Sequence, residues 1–111
     1  LNNLTMCKNK VLVSKNNGYV AKCDTCHDFQ IAFGTTVFGM KKSVFDTFLN
    51  HLYQLRREGD NYKVFDKKIY VDLQSSNAMM VLTPRELEDF IEIIETASIK
   101  NIVYTSMLFQ N

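Results

Sequence analysis

Cys23-Asp24-Thr25-Cys26-His27 places two thiols and an imidazole within five consecutive positions. A Cys-x-x-Cys in a tight turn can aim both sulfurs at one ion, and zinc takes four ligands drawn from thiolate and imidazole. Two ligands are too few, so the third cysteine of the chain, Cys7, decides the question. The expected ligand set is Cys7, Cys23, Cys26 and His27, with zinc in a closed, structural role. His27 follows Cys26 directly, which is sterically awkward for a fourth ligand, so His51 or a water are the alternatives there. Beside this stands a plain packing interpretation. Three reduced cysteines serve well as small hydrophobes at the end of a sheet, and the second Cys-x-x-Cys that completes many zinc sites is absent. A thioredoxin-like redox pair is the weakest of the three, because such pairs draw their activated thiolate from a helix N-terminus, whereas this one precedes a strand pattern.

Other chemistry ends early. His51, in "NHLYQ", lies one step from the apolar stripe of a helix and fits a boundary residue with a satisfied ring. Asp24, Asp28 and Asp46 show no paired-carboxylate logic. Ser43, Ser75 and Ser76 are explained by capping and turns, and no phosphate loop is present. Met79 and Met80 are core filler. Tyr19, Phe29 and Phe33 alternate as buried strand residues do, not as a stacking platform for bases.

The cysteines are positioned by the elements around them. "KVLVSK" and "YVAKC" form two strands, with Asn17-Gly18 expected at the hairpin corner because that dipeptide accepts the positive φ such turns need. This register sets Leu12 opposite Cys23 and brings the backbone near Cys7 alongside residues 26 to 28. "DFQIAFG" alternates Phe29, Ile31 and Phe33 against Gln30 and Ala32, a half-buried strand, and "TTVFGM" continues the sheet. From Lys42 the period changes: Val44, Phe45, Phe48, Leu49, Leu52 and Leu55 mark an amphipathic helix that stops at Gly59.

"KKIYVDL" and "AMMVL" are strands joined by a "QSSN" turn. "TPRE" then starts a second helix, with Thr83 as N-cap, Pro84 at the first helical position and Glu86 closing a capping box. Its stripe of Leu87, Phe90, Ile91 and Ile94 runs to about Ser98. The closing "NIVYTSMLFQN" is rich in strand formers and is expected to be a strand. With an offset of 42, Phe45, Phe48, Leu49 and Leu52 align with Leu87, Phe90, Ile91 and Ile94, a weak strand-strand-helix repeat with an extra strand in front. The expected architecture is α+β: a single domain over 1–111, mainly an antiparallel sheet with two amphipathic helices over one face.

The chain has 111 residues, 46% hydrophobic content and a formal charge of +1, enough for one self-sufficient core and too balanced for a nucleic-acid field. No long apolar run or signal-like segment is seen, which leads to an expected cytoplasmic location without membrane or nucleic-acid partners. An odd number of cysteines suits a reducing compartment or a metal better than a disulfide framework. The Asn3-Leu4-Thr5 sequon is short enough to be chance.

"GYVAKCDTCHDFQIAFGTTVF" followed by an amphipathic helix resembles a small bacterial family of uncharacterised proteins with a Cys-x-x-Cys and a Gln-x-x-Phe-Gly strand. The matching residues are Cys23, Cys26, Gln30, Phe33 and Gly34; the histidine after Cys26 is a departure. The resemblance implies that cysteines and strand belong together, and brings no activity. The functional expectation is a non-enzymatic interaction or regulatory module with a structural zinc at its Cys7, Cys23 and Cys26 end, its partner either an unknown protein or a second copy, a homodimer formed through the apolar "IVYTSMLF" as an added strand or hydrophobic patch. The alternative is a small-ligand carrier or an enzyme using Cys26 or His51.

Overall fold

The computed structural model describes residues 8–74 and 77–108. Cys7 and the serines of the "QSSN" turn lie outside the described residues. Four strands form an antiparallel meander: β1 (Asn9–Lys15), β2 (Gly18–Cys23), β3 (Phe29–Phe33) and β4 (Thr36–Met40), adjacent in chain order. Helix α1 (Lys42–Glu58) follows. A separate two-stranded antiparallel hairpin, β5 (Ile69–Asp72) and β6 (Met79–Leu82), then leads into helix α2 (Pro84–Leu108). The fold is therefore α+β with the expected elements. Two sheets replace the single one, and two strands, not one, precede the repeated strand-strand-helix order.

The alternation in the sequence becomes a buried and an open face. Val20, Ile31 and Phe38 sit side by side across β2, β3 and β4 and are all buried, whereas Tyr19, Ala32 and Val37 share the other face, where Val37 is exposed. Phe45, Phe48 and Leu52 of α1 and Leu87, Phe90, Ile91 and Ile94 of α2 complete the core. Phe29 stacks on Phe45 with ring centroids 3.9 Å apart, and Phe48 meets Phe90 edge-on at 5.9 Å. These ring pairs tie sheet to helix and helix to helix, each adding about 0.5–1.5 kcal/mol to the burial itself. In the second hairpin Ile69, Val71 and Leu82 point into the same core, with Tyr70, Met79 and Val81 outward.

Three sequence expectations are corrected. The first hairpin turns at Asn16 and Asn17, with φ of 52° and 64°, one residue earlier than the Asn-Gly dipeptide suggested. Gly18 instead opens β2, paired with Lys15 on one side and Phe33 on the other. A Cβ on Gly18 would lie 2.4 Å from the Ala32 carbonyl oxygen, so close strand approach, not turn conformation, requires glycine there. Second, the earlier turn moves the register by two residues and a bulge between Val11 and Val13 by one more, so Asn9, not Leu12, faces Cys23. Leu12 is the extra residue and is buried.

Third, α2 does not stop near Ser98. The segment expected as a C-terminal strand is helical to Leu108. Nothing after Pro84 breaks a helix, since neither glycine nor a further proline occurs. Ile and Val cost a helix only some tenths of a kcal/mol each, and the core-facing row continues through Ile93, Ala97 and Asn101. That row lies against β1 and β2, and tertiary contact overrides strand propensity. The start of α2 matches the capping box: the Thr83 amide donates to Glu86 Oε1 at 2.9 Å and the Glu86 amide to Thr83 Oγ1 at 3.0 Å.

Candidate functional site

Cys23 ends β2 and is buried, while Cys26 and His27 are exposed on the loop to β3. The loop closes tightly on Cys23. Its amide donates to the Asp28 carbonyl at 2.9 Å, and its carbonyl accepts from the His27 amide at 3.0 Å. The amides of Thr25 and Cys26 both point at Cys23 Sγ, 3.4 Å away each. His27 has φ of 67°, the left-handed conformation that reverses the chain after the second cysteine. Two N–H groups thus point at one sulfur, the arrangement in which backbone amides support a metal-bound cysteine. A turn that fixes one cysteine sulfur, with a second cysteine three residues on, supplies two of the four ligands that zinc takes.

The loop is also tied to both neighbouring elements. The Asp24 amide donates to the Lys8 carbonyl at 2.9 Å, so the residue following Cys7 in sequence lies beside the loop. From α2, the Tyr104 hydroxyl donates to Asp24 Oδ1 at 3.0 Å, which raises the phenol pKa because its ionised form would face the carboxylate. Lys10 Nζ lies over the Tyr104 ring, 4.0 Å from its centroid, a cation–π contact that holds the same helix turn against β1.

Of the expected ligands, Cys23 and Cys26 are together and Cys7 lies outside the described residues. Among the described residues no group of three or more His, Cys, Asp or Glu side chains is gathered as a metal would gather them. His51 sits on α1, its ring tilted against Phe48 with centroids 6.4 Å apart and its Nε2 buried without a hydrogen-bond partner among the described residues. Sequence reasoning overlooked Lys22. It is 4% exposed, and its ammonium donates to Asn101 Oδ1 of α2 at 2.8 Å. Burial, and then the charge of Lys42, lower its pKa from the ordinary value. The signal was available: Lys22 stands two residues from Val20 and so shares its inward face.

Fold and loop together define a small α+β domain with a cysteine knuckle at the open end of its first hairpin. The chain belongs to DUF6686, a family of unknown function whose model matches residues 6–109. No curated protein and no solved structure matches it significantly. Among the described residues no helix is long and apolar enough to cross a membrane.

Proposed function

We propose that this domain is a non-enzymatic interaction module whose sheet end is closed by a structural zinc held by Cys7, Cys23 and Cys26, with His27 of the same loop as the fourth ligand. The observation that carries the proposal is the pair of amides on Cys23 Sγ together with the left-handed His27. A buried reduced thiol that packs as a hydrophobe needs no such donors, whereas a metal-bound thiolate gains from them. Lys8 beside Asp24 supports a contribution from the preceding residue, Cys7. A metal at this point would cross-link the start of β1 to the β2–β3 loop, and through Asp24 and Tyr104 it would steady the last turns of α2. With thiolates occupying most positions the site is closed and structural.

Metal analysis of protein purified without added metal tests this. About one zinc per chain is expected, with a lower melting temperature in chelator. Less than half an equivalent, with stability unchanged in chelator, would defeat it. The competing enzyme or ligand-carrier role for Cys26 or His51 makes a different prediction: an activated Cys26 reacts rapidly with thiol reagents near neutral pH, while a ligand thiol reacts only after chelation.

A further inference from the structure

The outer edge of β1 pairs with no strand among the described residues. Asp24 donates to the Lys8 carbonyl, so Lys8 turns its backbone toward β2, and antiparallel alternation then turns the amides of Asn9 and Val11 outward. Alongside this edge runs a groove of about 510 Å³, walled by Lys10 and Val11 on the strand and by Lys100, Val103, Tyr104 and Met107 on α2. Val11, Val103 and Met107 are 58%, 52% and 64% exposed. Val103 and Met107 are one helical turn apart, so they form a short apolar ridge along the groove. Because α2 packs against both β1 and β2, this ridge flanks the place where a strand beyond β1 would lie.

We propose that this groove takes up an extended, acidic and apolar peptide segment of a partner protein as a fifth strand. The proposal names the partner class of the interaction module above and rests on that reading. Three features select this occupant. The outward backbone groups of β1 provide pairing with any extended chain. The ridge on α2 and Val11 provide apolar contact on the two faces of the added strand. Charge then sets specificity: the charged residues that line the groove are Lys10 and Lys100, Asp24 is engaged by Tyr104, and Glu92, paired with Lys15, lies at the far end of β1. A second copy fits poorly. Antiparallel pairing of two β1 strands about Leu12 would set Lys15 of each copy opposite Asn9 of the other, between its Lys8 and Lys10, gathering three lysines from each copy in one seam with no acidic residue of β1 to balance them, and lysines on an edge strand oppose self-pairing in this way.

The test uses the full chain and capped, labelled peptides of about eight residues, a strand's length, alternating Val with Glu or Val with Lys. Fluorescence anisotropy should show the Glu peptide binding at least about tenfold tighter than the Lys peptide, and more weakly as salt is added. Val11→Pro removes an outward amide without touching the bonds to β2 and should weaken binding roughly tenfold, as expected for one edge hydrogen bond. Met107→Glu, on an exposed helix position, should weaken it at least as much. Equal binding of both peptides, or binding indifferent to both substitutions, overturns the proposal, as does a peptide-free dimer in which Met107→Glu restores the monomer. Absent peptide binding with zinc content and chelator sensitivity intact defeats the groove alone; loss of the metal signature with peptide binding intact defeats the zinc site alone.

Discussion

Replacing Gly18 by alanine separates two explanations of why the first hairpin carries a glycine. If Gly18 served a left-handed turn position, asparagine would be nearly as good as glycine and alanine would cost about 1 kcal/mol. The structure assigns the positive φ values to Asn16 and Asn17 and gives Gly18 a different constraint. A methyl carbon there would stand 2.4 Å from the Ala32 carbonyl oxygen, 3.0 Å from Ile93 Cδ1 and 3.2 Å from Phe33 Cδ1. Close carbon–oxygen contacts in sheets lie at about 3.3–3.6 Å, so β2 and β3 would have to part by roughly 1 Å at Gly18, or the Ala32 peptide would have to rotate. Backbone yields less readily than a flexible side chain, and overpacking of this kind costs about 1–3 kcal/mol or more. For a domain of this size that is a fall in melting temperature of roughly 5–20 °C. Urea unfolding of Gly18→Ala, Gly18→Asn and Asn17→Gly measures it. The clash predicts both Gly18 variants strongly destabilised, asparagine no better than alanine, and Asn17→Gly within about 0.5 kcal/mol of the parent. Asparagine tolerated at position 18 would refute the close-approach account and restore the turn to Asn17-Gly18.

Further outcomes follow from the same contacts. Thr83→Ala removes one half of the capping box and should cost about 1 kcal/mol in urea unfolding. Burial alone would raise the Glu86 pKa, but hydrogen bonds from Lys67 and the Thr83 amide outweigh it and hold it below the ordinary 4.5. Its stabilising contribution is thus present above that value and lost as pH falls through the lower folded pKa, and Glu86→Gln should flatten this acid limb of a melting-temperature profile. Lys22 gives a slope of the same sign in the alkaline range. Its folded pKa lies below 10.5, so the unfolded chain binds more protons in between and stability should rise as pH climbs toward 10.5. The raised phenols of Tyr53 and Tyr104 work against this only near and above their ordinary 10.0, and the difference between parent and Lys22→Met below pH 10 isolates the lysine: the variant should show the smaller rise. Lys22→Met alone leaves Asn101 without its buried partner and should cost about 1–3 kcal/mol, while Lys22→Met with Asn101→Leu should recover most of it; a double variant as weak as the single one would contradict the pairing. On the proposed zinc site, Cys23→Ser should lower the zinc content found by metal analysis and remove the effect of chelator on the melting temperature.

How much of this was legible beforehand varies by element. Local rules sufficed where each residue's preference and its tertiary role coincide: "TPRE" wrote its capping box, the stripe from Phe45 to Leu52 its helix, and Phe29, Ile31 and Phe33 their buried face. They failed where a distant neighbour decided. Asn17-Gly18 is a better corner than Asn16-Asn17 on turn chemistry alone, but the Ala32 carbonyl claims the space beside Gly18, and β3 is not visible from the hairpin. "NIVYTSML" prefers strand by composition, but the core row through Ala97 and Asn101 has β1 and β2 to rest on, and burial outweighs small differences in propensity. The cysteine pair was plain to see, although the amides aimed at Cys23 Sγ and the tie from Asp24 to Lys8 were not. The linear order of side chains thus determined which segments would be helix or strand wherever backbone preference and burial agree. The choice among registers, the reach of α2 and the surroundings of each polar group were decided only by packing, because those free energies belong to pairs of residues far apart in the chain.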